Sequence, residues 1–516
     1  VQDERVKGST RYRSLAALAG VAAAALGLGI SEAIAGLLAG ATSLVDAVGQ
    51  VVIDVQPAGA KDVVVGIFGT NDKLALEILV TVVALALGAV FGVLATRRFA
   101  LGAAGFAVFG VVAFVASLGE PLASPALVAV QAAAATGVAI QTLSWLLGRL
   151  GPATDSEATT IADPARRSFL LRTGAVGIGA LVAGAFGRTA IASSTSSPIP
   201  STPLPPPVDV AAPLPSGADL APETPGLTPI VVPNDRFYRI DTALLVPSLD
   251  TETWQLRIHG LVEHETTLTW DQLISLPMFE QYCTISCVSN VVGGHLVGNT
   301  KWTGVRLREV LDMAKPTGQA TQLVGRSVDS WTAGMPMSWV MDPAREPMIA
   351  VEMDGQPLPR QHGYPARLIV PGLYGYVSAT KWLWELELTT WEAYDGYWVP
   401  LGWSKEAPIL TQSRIDTPAG DVAVGRVPIA GIAWAPDRGI SKVEVAIDDT
   451  WYEARLSTPI SDATWVQWRH DWDATPGQHR LTVRATDGTG TLQEETPSPP
   501  APSGARGWHS VVVNVG

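Results

Sequence analysis

Two kinds of hydrophobic pattern divide the chain. Up to about residue 195 the apolar residues run in long unbroken stretches; beyond about 228 they come in short alternating ones. The long stretches cover 14–42, about 74–95, about 99–118, 124–148 and about 171–194. Each is of the order of the ~20 residues needed to cross the hydrocarbon core of a bilayer. Small residues crowd them, as in Ala19-Gly-Val-Ala-Ala-Ala-Ala25 and Ala132-Ala-Ala-Ala-Thr-Gly137, which lets helix backbones approach closely in lipid. Five helical spans are therefore expected, four in a membrane domain over 1–150 and a fifth within 151–195.

The shorter pattern splits in two. From 228 to 403, strand-like runs (Thr253-Trp-Gln-Leu-Arg-Ile-His-Gly260, Thr266-Thr-Leu-Thr-Trp270, Arg367-Leu-Ile-Val370) mix with short helical ones (Leu307-Arg-Glu-Val-Leu-Asp-Met-Ala314), an α+β texture. From 404 to 516 every run alternates, as in Ile440–Ile447 and Trp508–Val515, with turn signals between runs. That predicts an all-β sandwich of immunoglobulin type. Between span and α+β region, 196–227 is rich in Pro, Ser and Thr and reads as an extended spacer without a core.

Charge gives the spans a direction. Arg5, Lys7, Arg11 and Arg13 precede the first span, Arg97 and Arg98 join the second to the third, and Arg149, Arg166, Arg167 and Arg172 join the fourth to the fifth. The alternate loops carry Asp46, Asp54, Asp72 and Glu120, with Lys61 and Lys73. Basic loops stay inside, so the N-terminus is expected inside and everything after about 195 outside: a multi-pass cell-membrane protein with its outer domains extracytoplasmic. Asp163-Pro-Ala-Arg166-Arg167-Ser-Phe169-Leu170-Leu-Arg172, ahead of a Gly-rich span, resembles a twin-arginine export signal retained as an anchor. Glu32 and Glu77, inside or at the edges of spans, are default candidates for a role there. The net charge of −13 argues against a nucleic-acid partner, leaving lipid as the bulk partner of the apolar part.

Only two cysteines occur, Cys283 and Cys287, which excludes a disulfide scaffold and a Cys-rich cluster. None of the seven histidines (259, 264, 295, 362, 470, 479, 509) lies in a span, so bis-histidine haem in the bilayer is excluded. There is no haem-attachment motif or flavin fingerprint either, and electrons are expected to pass to a separate carrier, a cytochrome or a quinone. On local sequence the two cysteines read as buried inert thiols, as a Cys283–Cys287 bridge, or as a thiolate offered to a soft metal.

Longer motifs weigh on that choice. Cys287-Val-Ser-Asn290, then Gly298-Asn-Thr-Lys-Trp302-Thr-Gly-Val-Arg-Leu307, and the block Val351–Gly372 with Arg360-Gln-His362-Gly-Tyr-Pro-Ala-Arg367, resemble the sulfite oxidase family of molybdopterin enzymes, as does Lys381-Trp382. The resemblance implies an α+β molybdopterin domain, with Cys287 as metal ligand and a molybdenum–pterin cofactor. It implies cofactor contacts from Asn234, Tyr238, Arg239, Asp329, His362, Arg367, Ala379, Thr380 and Lys381. Arg239 is implied at the substrate, together with an active-site tyrosine at Tyr394 or Tyr397. The all-β region matches the family's dimerisation domain in order and size, implying a homodimer or an assembly in the membrane. One departure bears on substrate. The family's oxyanion-binding arginine five residues after the ligand is Val292 here, and Ile240-Asp241 follow Arg239 where Asn-His is expected. Three readings follow: a sulfite-oxidase-type enzyme, a reductase of S- or N-oxides such as methionine sulfoxide, and a non-enzymatic membrane scaffold.

The charge alternation makes a direct prediction. Single cysteines introduced at positions 98 and 216 should be labelled from opposite sides of the membrane, and Arg166-Arg167→Lys-Lys should trap the folded outer part inside. Labelling of both positions from outside would contradict five alternating spans.

Overall fold

A computed structural model describes residues 2–56, 67–68, 72–120, 122–150, 163–196, 199 and 204–516. Lys61, the 151–162 part of the segment carrying the export-like motif, and 200–203 of the Pro-rich segment lie outside the described residues, as do the side chains of Arg5, Lys7 and Arg11. The chain forms two compact units. One is Val1–Pro198 with Thr242–Pro247; the other is Ile199–Asp241 with Ser248–Gly516.

The first unit is helical: α1 Gln2–Leu37, α2 Leu44–Asp54, α3 Asp72–Ala95, α4 Phe99–Ser117, α5 Pro125–Leu147 and α6 Asp163–Ser196. Five stretches, Tyr12–Leu37, Asp72–Ala95, Phe99–Ser117, Pro125–Leu147 and Arg166–Ser193, are long and apolar enough to cross a membrane, in register with the five expected spans. Glycine sets their spacing. A Cβ on Gly20 of α1 would lie 2.0 Å from the Gly88 carbonyl of α3, and one on Gly187 of α6 would lie 2.2 Å from the Glu32 carbonyl carbon of α1. Helix α2 falls in what reads as a polar loop, and it is capped by Ser43, whose hydroxyl accepts from the Asp46 N–H.

The two ends of this bundle differ in chemistry. At one end Arg188 of α6 reaches Asp46 (2.8 Å), Glu32 (3.1 Å) and Glu77 (3.5 Å), while the Ser43 hydroxyl donates to Glu32 (2.8 Å). At the opposite ends of α5 and α6, Arg149 and Arg172 sit 5.9 and 5.8 Å from the centre of the Trp145 ring. Glu32, Glu77 and Asp46, far apart in sequence, meet at one end only because successive long helices run in opposite directions.

The second unit starts with β1 Gln255–Gly260, β2 Thr266–Thr269 and α7 Trp270–Ile274, followed by β3 Met278–Ser286, β4 Val297–Arg306 and α8 Leu307–Ala314. Next come β5 Gln322–Ser327, β6 Thr332–Pro336, α9 Met337–Val340, β7 Met348–Met353, β8 Gln356–Pro357, β9 Arg367–Ile369, α10 Gly375–Ser378 and β10 Leu383–Thr389. One sheet runs β2-β1-β10-β5-β6, with β1 and β10 parallel; the other runs β3-β4-β7-β8, with β9 also on β7. The remaining residues form two four-stranded sheets from β11 Gln412–Thr417, β12 Gly425–Trp434, β13 Ile440–Ile447, β14 Thr450–Glu453, β15 Arg455–Leu456, β16 Val466–Ala474, β17 Gly477–Asp487 and β18 His509–Val515. Ile429 and Trp468 of one of these sheets share a core with Val445, Leu481 and Val513 of the other.

The Pro-rich segment differs from the expected free spacer. Val208 donates its N–H to the Met278 carbonyl (2.8 Å) and Asp209 accepts from the Glu280 N–H (2.9 Å), so this stretch pairs with the outer edge of β3. Leu220 and Leu227 are buried against Ala430, and the fully buried Gln467 amide donates to the Thr228 carbonyl (2.7 Å) and Asp219 (3.0 Å). Composition reports the absence of a core within the segment. It cannot report that an unpaired strand edge elsewhere needs covering.

The β3–β4–β7 sheet positions the site described next, and at Gly304 the strands leave no room for a side chain: an added Cβ would lie 2.1 Å from the Ile349 carbonyl oxygen. Gly304→Ala should therefore destabilise by about 1–3 kcal/mol, seen as a lower Tm. Gly318→Ala, where nothing lies within 4 Å, should leave Tm unchanged.

Candidate functional site

Strand β3 ends at Ser286, and Cys287 opens the loop that returns to β4. The loop is closed on itself. The Cys287 N–H donates to the Leu296 carbonyl (2.9 Å), the Asn290 N–H donates to the Cys287 carbonyl (3.1 Å), and the Asn290 side-chain oxygen accepts from the Leu296 N–H (2.8 Å). The Cys287 sulfur is half-buried and lies 2.9 Å from the Ser289 hydroxyl. Cys283, inside the strand, is fully buried, and burial pushes its thiol up to about 12. Both thiols are free. Four residues of strand span roughly 13 Å, well past the ~7 Å limit between the Cα atoms of a bridge. The bridged reading is therefore out, and Cys287 is the accessible sulfur.

Beside it sits a group of buried cations. Arg367, the first residue of β9, is 3% exposed; its Nη1 donates to the His362 carbonyl (3.0 Å) and its Nη2 to the Ala379 carbonyl (3.4 Å). Its guanidinium lies 5.1 Å from the Trp302 ring centre, and its Nε is buried with no partner. Burial pulls this guanidinium down to about 10, against the opposing influence of Tyr238 and Cys283. Lys381 donates to the Gln361 carbonyl (2.9 Å) and to Asp241 (3.1 Å); burial pulls it down to about 8, with Asp241 holding it up. Gly363, at φ +111°, lets the turn approach: a Cβ there would lie 3.1 Å from both Lys381 and Arg367. Burial first, then Lys381 and Arg367, push His362 down to about 3. It is a neutral imidazole, and the Nε2 that faces the Asn234 carbonyl at 3.3 Å is the protonated nitrogen.

The other expected contacts divide. Asn234 donates to the Met353 carbonyl (2.9 Å) and leaves its side-chain oxygen buried without a partner. Tyr238 stacks on Phe237 (5.3 Å between centroids), and burial followed by the charge of Cys287 raises its phenol. Phe237 in turn meets His362 and Trp302 edge-on. Asp329 is raised by burial, with Asp241 and Lys381 among its electrostatic neighbours. Ala379 contributes its carbonyl to Arg367, whereas the Thr380 hydroxyl is turned to the Gly325 carbonyl (3.4 Å). Asn234, Tyr238, His362, Arg367 and Lys381 thus gather within one cradle beside Cys287.

The expected substrate residues are arranged differently. Arg239 grips Asp241 with two nitrogens (2.8 and 3.3 Å), and the same carboxylate holds Lys381. Val292 is half-exposed and Val291 is 56% exposed in the Cys287 loop. Tyr394 donates to the Thr332 hydroxyl (3.0 Å), and Tyr397 donates its backbone N–H to the Thr332 carbonyl (3.1 Å), so both are placed on β6. Arg326, 4.8 Å from the Tyr394 ring centre, is paired with Glu387 (2.9 Å). Sequence reasoning missed Tyr374. Its phenol is pushed up to about 12, mainly by burial but also by the charge of Cys287. Its Tyr-Gly-Tyr setting after Pro371-Gly372 gave no distinguishing signal.

A sequence profile for the oxidoreductase molybdopterin binding domain matches residues 243–398. The uncharacterized oxidoreductase YuiH of Bacillus subtilis is 30% identical over 149 residues, covering 29% of this chain and 71% of that protein. The chain belongs to the sulfite oxidase family of molybdopterin oxidoreductases. Mitochondrial sulfite oxidase of Mus musculus is 29% identical over 342 residues, 55% of this chain; the chain spans 62% of that relative's length. The sulfane dehydrogenase SoxCD of Paracoccus pantotrophus aligns over 56% of this chain and 82% of its own at 22% identity, with a TM-score of 0.49.

A molybdenum–pterin cofactor fits the residues present. Buried cations are costly unless an anion offsets them, and Arg367 keeps a buried Nε unpartnered with no carboxylate hydrogen-bonded to it. A phosphate beside Arg367 and Lys381 would supply that anion. Among the described residues no three His, Cys, Asp or Glu side chains converge on one point, so a metal at Cys287 would draw its other ligands from the cofactor. Arg367→Met removes a charge-assisted hydrogen-bonding group worth about 1.5–3 kcal/mol. It should lower the pterin and molybdenum content of purified protein by about one to two decades, and Arg367→Lys should restore part of it. Wild-type cofactor content in Arg367→Met would contradict an anion site there.

Proposed function

We propose that this chain is a membrane-anchored molybdopterin oxidoreductase with its catalytic unit on the outer side. It transfers an oxygen atom and two electrons between a neutral organic S- or N-oxide and its reduced form, in preference to oxidising sulfite. The observation that carries the substrate choice is Asp241, which pairs with both Arg239 and Lys381 and offsets one of their two charges. With Val292 in place of an arginine and Arg326 occupied by Glu387, the cations that would hold a small dianion are absent, paired or partly offset. That arrangement favours a substrate without net charge.

When bound, the molybdenum centre supplies an oxygen-transfer site with two-electron capacity. Cys287 would offer the protein's sulfur to it, and Arg367, Lys381, Asn234 and His362 would hold the pterin and its phosphate. Neutral His362, its Nε2–H facing the Asn234 carbonyl, presents Nδ1 as an acceptor without adding charge. Tyr374, whose phenol stays protonated near Cys287, can hold a proton there; Tyr394 and Tyr397 stand with Arg326 at β5 and β6. The half-exposed Val292 and exposed Val291 offer apolar contact to an organic substituent.

The rest of the chain fits this role. Arg166 and Arg167 are exposed at the start of α6 and Phe169 is buried, as a twin-arginine signal kept as an anchor would be. The two-sheet region 404–516 is read as an immunoglobulin-type domain suited to dimerisation. Electrons would pass to a separate cytochrome or to quinone.

The test is substrate charge. Wild type should turn over sulfite weakly and a neutral sulfoxide or N-oxide efficiently. Val292→Arg, which restores one charge-assisted contact of about 1.5–3 kcal/mol, should lower KM for sulfite by about one to two decades. A wild type that oxidises sulfite with a micromolar KM would overturn the substrate assignment.

A further inference from the structure

The Cys287 sulfur and the Ser289 hydroxyl lie 2.9 Å apart, and either atom is able to donate when the sulfur carries a proton. A sulfur bound to a metal is a thiolate without one, so the hydrogen bond then has a single sense. We infer that Ser289 is a positioning residue that tunes the metal centre by donating its hydroxyl hydrogen to the Cys287 sulfur. The inference rests on Cys287 being the metal ligand.

The loop fixes this pair. Asn290 ties the loop across to Leu296 through its side-chain oxygen, and its own N–H is held by the Cys287 carbonyl. Ser289, between those two anchors, has little freedom to swing away. The Gly293-Gly294 stretch that follows is braced as well: a Cβ on Gly293 would lie 2.3 Å from the His509 ring, and Arg414 donates to the Gly294 carbonyl (2.6 Å). A donor aimed at a thiolate draws charge from the sulfur and weakens its donation to the metal. Hydrogen bonds to ligating sulfurs are among the established levers on reduction potential. Less donation favours the reduced metal, so the hydroxyl should raise the potential of the centre.

The experiment is an EPR-monitored redox titration of the molybdenum in wild type, Ser289→Ala, Ser289→Thr and Cys287→Ser, each with its metal content measured. Ser289→Ala should move the Mo(VI)/Mo(V) midpoint to lower potential and change the Mo(V) spectrum, and Ser289→Thr, which keeps a hydroxyl, should stay at the wild-type midpoint. An unmoved midpoint in Ser289→Ala, or an equal shift in Ser289→Thr, overturns the inference. If Ser289→Ala loses its metal, Ser289→Thr decides: retained metal at the wild-type midpoint supports the role, and loss in both overturns it. The control separates the two ideas, because a Cys287→Ser protein with the wild-type spectrum would show that Cys287 is not the ligand at all.

Discussion

A guanidinium held in the interior with one nitrogen unpartnered is expensive to keep, and the second unit is built around one. Arg367 leans on two carbonyls and the face of Trp302, has no carboxylate hydrogen-bonded to it, and is pulled down to about 10 by burial. Lys381 and His362 are depressed for the same reason. Lys381 has Asp241 beside it, but Arg367 has no such partner and opposes folding unless an anion joins it, as the phosphate of a bound cofactor would. His362 illustrates the electrostatics: beside two cations a third charge would be costly, and the ring stays neutral.

The sulfur is held by a different constraint. β3 lies at the outside of its sheet order and carries Cys287 at its end, so its free edge would be open to fraying or to pairing with another chain. Residues 208–209 cover that edge at Met278–Glu280, and further along Thr284 is held by the Ala463 carbonyl and donates nothing to solvent on that side. The Pro-rich segment and the all-β region together brace the strand that leads into Cys287. In the helical unit the comparable constraint is the meeting of Arg188 with Glu32, Asp46 and Glu77, which fixes how four helices end relative to one another.

Much of this was legible in sequence. The apolar runs gave five long helices because length and hydropathy are local properties. The resemblance carried by the spaced motifs pointed to Cys287, His362, Arg367 and Lys381, and the fold brings the last three together although they lie on separate elements. Helix α2 was hidden by its acidic residues, which read as loop until their partner Arg188, 142 residues from Asp46, is known. The packing of 208–227 was invisible because its partners, Met278, Ala430 and Gln467, are distant in sequence. Asp241 stood out in sequence only as a departure from the family pattern; in the structure its charge is taken up by Arg239 and Lys381. Tyr374 and Ser289 acquire meaning only from their relation to the Cys287 sulfur.

Of the two thiols in the chain, Cys287 is the one proposed to carry the metal. X-ray absorption at the molybdenum edge of purified wild type, Cys283→Ser and Cys287→Ser tests it most directly. Cys283→Ser should keep the wild-type number of sulfur scatterers, and Cys287→Ser should show one fewer. The same sulfur count in Cys287→Ser as in wild type would contradict it.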